Sequence, residues 1–432
     1  MTEAASPGRA LSGPASPSHT LMWADFQALC DLGGRVAGSA SEAAALAFAQ
    51  SRLAAVPGTK FRADPVQYPG WRCRTAQLTS ATTGITLSCM PLLGTAPAAG
   101  LVAEVLDLGL GRREDFERHA NRIRDRIVLV RHEYPFISGH VHRRLKLTLA
   151  QEMGAVGFLI AYPEAGVGAV SGSSGRNGGA GIPALGVGAE AADAFRALPD
   201  GTLPAARMVI EVDDHPARTR MLVADLPGRG PNWVVVSAHI DGHPHGESAM
   251  DNATGVAVAL SLARMLAPHV SECPRGLRIC LLSAEEWALA GSRIWLEQMD
   301  EAARRSMVIN INLDSVGGAH GLTALTSGFE RLDAWVKATA ARAGLPIATH
   351  LPLMANSDHA NFAAHGIPAV RLIAGFDAPD SNLRLVLTAA DTRDKVRPDQ
   401  LDQALRIATT LTWQALGTAD ATLLSLAAAG RS

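Results

Sequence analysis

The placing of metal-competent side chains directly after short apolar runs constrains this chain more than any other feature. Residues 233–236, 277–282 and 308–313 are such runs, rich in β-branched residues or leucine and too short for helices. Each predicts a buried strand. His239 and Asp241 follow the first run, Glu285 and Glu286 the second, and Asp314 the third, with Asp251 and Asn252 between the first two. In an open α/β sheet, ligands bind just outside the carboxyl ends of the strands. His239, Glu285, Glu286 and Asp314 are therefore expected to meet in one crevice, although they lie far apart in the chain. Adjacent carboxylates at the end of a buried strand repel each other unless a cation sits there. A hard or borderline metal ion suits so much carboxylate gathered with an imidazole.

Simpler roles exist for some of these residues. Val256, Leu260, Ala263 and Ala267 have the period of a helix packed on a sheet, and Asp251 and Asn252 can cap it. The pair Glu285-Glu286 can open the helix that runs on through Leu289 and Ile294, favoured by the helix dipole. Neither role explains the whole set of His239, Asp241, Asp251, Glu285, Glu286 and Asp314.

The rest of the chain divides into three stretches. Its 432 residues predict two or three domains, and 47% apolar against 19% charged residues suits a large core. A net charge of −2 implies no basic surface for nucleic acid. Five cysteines without a close-spaced pair argue against a disulfide framework or a structural zinc knuckle. Residues 1–21 are rich in Ser, Pro, Ala and Gly and read as a disordered tail without a signal-peptide core. No apolar run reaches membrane-spanning length in this reading, so a cytoplasmic location is expected. In residues 22–58, Leu46, Ala49, Leu53 and Val56 mark an amphipathic helix with a serine at its start, and the turn Gly33-Gly34-Arg35 before it reads as a tight loop. Residues 59–213 are richer in strands and turns and hold none of the acidic clusters. His140 and His142 there read as solvated loop histidines. Residues 214–432 carry the clusters and end in a helical stretch.

Taken in order, these pieces resemble the di-zinc aminopeptidases of metallopeptidase family 28. The matching motifs are Gly34-Arg35-Val36-Ala37-Gly38-Ser39, Ala238-His239-Ile240-Asp241, Ala249-Met250-Asp251-Asn252-Ala253-Thr254-Gly255, Glu285-Glu286, Asn312-Leu313-Asp314, Ser357-Asp358-His359, Gly366-Ile367-Pro368 and Asp391-Thr392. The middle stretch resembles a protease-associated domain inserted in such enzymes. The resemblance implies a mixed, mostly parallel sheet between helices, formed by residues 22–58 with 214–432. It also implies a smaller, β-rich α/β insert over 59–213, able to act as a lid. It implies zinc as cofactor, with His239 and Asp314 as ligands of a first ion, Asp251 as a bridging carboxylate and Glu286 as a ligand of a second. Glu285 then resembles the general base, and Asp241 the acid that orients His239.

One departure matters. The family places its remaining second-site ligand, a histidine, where this chain has Leu387, in Val386-Leu387-Thr388-Ala389-Ala390-Asp391-Thr392. The second ion would then depend on Asp251 and Glu286 with water, and one tightly held ion is expected. His243, His245, His320 and His359 are candidate substitutes, each expected to be a loop or structural histidine. The functional reading is a metallo-aminopeptidase acting on peptides. A single-metal amide hydrolase or cyclising enzyme on a small amide, and a non-catalytic binding relative, are the alternatives. Glu285 argues against the last.

Overall fold

The computed structural model describes residues 17–176 and 178–427. Among the described residues the strands in chain order are β1 (Lys60–Ser80), β2 (Thr86–Leu87), β3 (Cys89–Pro91), β4 (Ala98–Asp107), β5 (Ile127–Arg131), β6 (Gly157–Ala161) and β7 (Ala184–Val187). They continue with β8 (Ala205–Leu226), β9 (Trp233–His239), β10 (Gly276–Leu282), β11 (Met307–Leu313), β12 (Leu322–Leu325), β13 (Ala348–His350) and β14 (Ala369–Ala374). They join in one hydrogen-bonded path, β13-β12-β14-β11-β9-β10-β8-β4-β5-β6-β7-β3, with β1 also on β8 and β2 on β1.

The three apolar runs are β9, β10 and β11, and they pair parallel with one another; β14 joins β11 in the same sense. Their near-continuous apolar sequence follows from burial on both faces. Val234, Val236 and Ala238 face a core shared with Phe26, Leu46, Val256 and Leu405. Val235, between them, faces Trp295 and Phe362 instead. Each such side chain contributes roughly 1.5–3 kcal/mol by leaving water. The helices Pro17–Asp31, Ala40–Ala54 and Pro398–Gly417 pack against Thr254–Val270. The stretch 22–58 thus joins the half of the molecule that carries the acidic clusters.

The strands β1 and β8 tie the two halves together. They pair antiparallel along nearly their whole length, from Lys60 opposite Asp225 to Ser80 opposite Ala206. One end of β8, residues 222–226, pairs with β10, and the other, residues 205–210, pairs with β4. Residue 58 lies just before β1 and residue 213 lies within β8, so the chain enters and leaves the insert along these paired strands. In the insert, β4 to β7 run parallel in sequence order.

Several local expectations need correction. The tail expected over residues 1–21 falls outside the described residues up to residue 16, and the helix Pro17–Asp31 takes in its end. The helix Ala40–Ala54 is capped by Ser39, whose Oγ accepts from the Glu42 amide, while the Ser41 hydroxyl turns back to the Gly34 carbonyl. Glu285 and Glu286 are not in a first helical turn. The helix begins only at Ala290, and the loop before it carries positive φ at Ala284, Ala288 and Leu289. The helical stretch Ala249–Val270 is long and apolar enough to cross a bilayer by length and composition, contrary to the sequence reading. Most of it is buried in the core, which explains that composition without a membrane.

Candidate metal centre

The carboxyl ends of β9, β10 and β11 deliver His239, the Glu285-Glu286 loop and Asp314 to one crevice, as the strand pattern requires. Asp251 reaches it from the short turn Ala249–Ala253 that precedes the long helix. Asn252 does cap that helix, its Oδ1 accepting from the Gly255 amide. The Asp251 carboxylate is left for the crevice. Its Oδ1 lies 2.9 Å from His239 Nε2. Asp314 Oδ1 lies 3.5 Å from the same nitrogen. Potential ligand atoms gather in two overlapping groups, His239 with Asp251 and Glu286, and His239 with Glu285 and Asp314.

The fit to a metal ion rests on atoms that otherwise have no use. His239 Nε2 faces Asp251 Oδ1 at 2.9 Å and His243 Nε2 faces Glu286 Oε1 at 2.6 Å, and none of these four buried atoms makes a well-directed hydrogen bond to any other group. Buried polar groups are otherwise almost always paired. One imidazole and several carboxylate oxygens make a donor set that zinc accepts.

Electrostatics tell the same story. Burial pushes the Glu285 and Glu286 carboxyls well above the ordinary range, and His239 opposes the rise at both. The charge of Glu286 adds to the shift at Glu285, and that of Asp251 to the shift at Glu286. At His239 burial disfavours the cation, but Glu285, Asp314, Asp241 and Asp251 outweigh it and hold the imidazole well above its ordinary value. The crevice therefore demands positive charge. Without a metal ion, a proton on His239 meets part of that demand, and metal binding would displace it.

Asp241 sits beneath this arrangement. Its two carboxylate oxygens accept the backbone amides of Glu285 (3.2 Å) and Glu286 (3.1 Å). His239 Nδ1 lies 3.1 Å from the Asp241 carbonyl and 3.8 Å from the carboxylate. The side chain thus clamps the Glu-Glu loop, and the main chain holds the imidazole. Asp391 acts in the same way on the other side, its carboxylate accepting the amides of Met250 (2.7 Å) and Asp251 (3.3 Å). The turn Gly33-Gly34-Arg35 is more than a loop. Arg35 is buried, and its guanidinium donates to the carbonyls of Leu29, Gly33, Ile240, Glu247 and Ser248.

Two features escaped the sequence reading. Arg371, on β14, is buried and reaches Asp314. A lone arginine in the apolar run Ala369-Val370-Arg371-Leu372-Ile373 was the available signal, because a strand buried on both faces cannot leave a guanidinium unpaired. The second feature is that the insert builds one wall of the crevice. His140, His142, Arg143 and Arg144 line it opposite Glu285 and Leu289, in a space of about 730 Å³ including its mouth. His140 and His142 are accordingly not solvated loop residues; burial, the larger cause at each, pushes both imidazoles down. The insert is fastened there by Tyr134, which donates to the Gly375 carbonyl, and by Tyr162, which donates to that of Arg384. Among the four candidate substitute histidines, His245 and His320 are exposed, and His359 is buried but belongs to neither group of ligand atoms. His243 points its Nε2 at Glu286, 2.6 Å from Oε1.

Residues 221–412 match the profile of peptidase family M28, and residues 95–195 match the PA domain. Aminopeptidase YwaD of Bacillus subtilis (strain 168) is 26% identical over 333 residues, covering 75% of this chain and 69% of that protein. Leupeptin-inactivating enzyme 1 of Streptomyces exfoliatus is 28% identical over 157 residues, 36% of each chain. Among solved structures, the aminopeptidase from Aneurinibacillus sp. strain AM-1 superposes with a TM-score of 0.71 at 23% identity, over 93% of this chain and 94% of that one. The peptidase M28 precursor from Shewanella amazonensis SB2B gives a TM-score of 0.75 at 20% identity, over 95% of each chain. These two likenesses establish the shared fold. Residues 221–412 thus resemble peptidase family M28, and residues 95–195, which precede them, resemble a PA domain.

Proposed function

We infer that the protein is a zinc-dependent aminopeptidase that removes N-terminal residues from peptides, with Glu285 as its general base. The observation that carries this reading is the convergence of buried His239, Asp251 and Glu286 atoms on one point beside Glu285. Relatives named as aminopeptidases support the reaction class. They favour it over a single-metal amide hydrolase or a binding protein.

His239, Asp251, Asp314 and Glu286 would hold the ion or ions. Bound there, zinc supplies Lewis acidity, polarising a carbonyl and making water easier to deprotonate. The Glu285 carboxylate takes the proton of the attacking water. It then passes that proton to the amine that leaves, so one group serves as base and acid in turn. Asp241 fixes where that carboxylate stands by holding the Glu285 amide. The substrate's free α-amino group, a cation, is attracted by the same concentration of carboxylates. The wall supplied by the insert, with Arg143 and Arg144, restricts access of bulk water and of long chains.

Hydrolysis of aminoacyl-p-nitroanilides, with and without N-acetylation, tests the reading. Cleavage of the free-amine substrates, abolished by a chelator and restored by zinc, is expected. Equal cleavage of the N-acetylated substrates, or activity indifferent to the chelator, overturns it.

A further inference from the structure

We propose that His243 is a ligand of the second metal site, together with Glu286 and Asp251, and that it replaces the histidine absent at Leu387. The inference rests on the metallopeptidase reading above and concerns only how many ions this chain holds and with which residues.

Four observations lead to it. First, His243 Nε2 and Glu286 Oε1 face each other at 2.6 Å, both are buried, and neither makes a well-directed hydrogen bond to any other group. Glu286 also belongs with His239 and Asp251 to a group whose ligand atoms lie within 4.8 Å of one another. His243 stands next to that group and offers an imidazole nitrogen beside Glu286. Second, the other ring nitrogen is taken: Nδ1 lies 3.3 Å from Ser171 Oγ. A ligating imidazole normally uses its second nitrogen in this way, which fixes the ring and its tautomer. Third, the loop that carries His243 is built rigidly. The His243 amide donates to Ser248 Oγ at 3.0 Å, the Gly242 amide donates to the Arg35 carbonyl at 2.9 Å, and Arg35 grips the loop through Glu247 and Ser248. A Cβ on Gly34 would come within 1.9 Å of the His243 carbonyl oxygen, so only glycine lets the two segments approach so closely. Fourth, His243 and Leu387 share a neighbour. The Ser171 amide donates to the Leu387 carbonyl at 2.7 Å while its hydroxyl meets the His243 ring. Ser171 thus links the His243 ring to the backbone at Leu387. With His243 the second site reaches three protein ligands, the usual number for an open zinc site.

This reverses the expectation of one tightly held ion, and elemental analysis decides. The full-length protein is loaded with zinc, dialysed and analysed for metal, and zinc is titrated into the apoprotein against a chelating indicator. Wild type should retain two equivalents. His243→Asn should retain one, with the weaker site losing at least about a hundredfold in affinity, and circular dichroism should show the fold unchanged. Should His243→Asn fail to fold, Ser171→Ala serves in its place; the ring loses its orienting partner, and second-site affinity should fall roughly tenfold. Retention of two equivalents in a folded His243→Asn protein overturns the assignment, as does a single equivalent in both wild type and variant. Absence of any zinc-dependent cleavage by wild type would instead refute the aminopeptidase reading and leave the metal count standing on its own.

Discussion

The Arg371 guanidinium lies 3.0 Å from Asp314 Oδ2, with both side chains buried in the crevice. Burial favours the neutral acid at Asp314, but Arg371 and then His239 outweigh it and hold the carboxyl below its ordinary range. One oxygen of Asp314 is thereby fixed by the protein's own cation, and the other accepts from the Ser315 hydroxyl at 3.0 Å and lies 3.5 Å from His239 Nε2, with a lone pair still available to an ion. Replacing Arg371 with leucine should cost up to about 3–5 kcal/mol in the metal-free protein, because it removes the nearest cation from a buried carboxylate and leaves it to His239 and Ser315. Added zinc should recover part of that loss. Chemical denaturation with and without zinc measures both; a deficit unchanged by zinc would show that Asp314 does not meet the metal.

Glu285→Gln keeps the shape of the side chain and the Asp241 contact to its amide, but removes the proton acceptor. Turnover should fall by roughly a hundredfold or more while zinc content stays at the wild-type level. Full activity in this variant would sink the general-base assignment.

The wall opposite the acidic cluster is basic, with Arg143 and Arg144 supplied by the insert. Short peptides ending in a free carboxylate should bind better than the corresponding amides. Arg144→Ala should raise KM for the carboxylate forms by about tenfold, the scale of one charge-assisted hydrogen bond. The amides should be little affected. Equal changes for both would assign Arg144 to structure alone.

Acid should loosen the insert through His132. Burial, with help from Arg143, Lys146 and His140, pushes this imidazole down to about 3. The unfolded chain binds the proton near pH 6.5, so the folded state is favoured above that value. Stability should be lost as pH falls from about 6.5 towards 3, at up to about 1.4 kcal/mol per pH unit. His132→Phe retains a ring to stack on Tyr162 and does not titrate. Its stability should depend less steeply on pH than that of wild type below 6.5, as denaturation at several pH values would reveal; parallel profiles would exclude His132 as the source.

The fold class and most of the acidic crevice are legible in the order of the residues. Strands β9, β10 and β11 are legible because burial on both faces leaves them mostly apolar; the polar residues inside them, Ser237, Arg278, Asn310 and Asn312, are paired within the fold, and the metal-competent residues follow at their carboxyl ends. His239, Glu285, Glu286 and Asp314 could therefore be placed without coordinates. What the loops do depends on contacts made across the packed molecule. The Glu-Glu pair reads like the start of a helix, yet Asp241 holds both of its amides from another loop, and the helix starts only at Ala290. His243, His245, His320 and His359 look alike in sequence, because the spacing within a loop does not record where an imidazole will point. Arg35, Gly34 and Ser171 set that direction for His243, and they stand up to 208 or 209 positions away from it in the chain. Contacts across such separations depend on chain segments brought together by the packed sheet, and no local pattern encodes them.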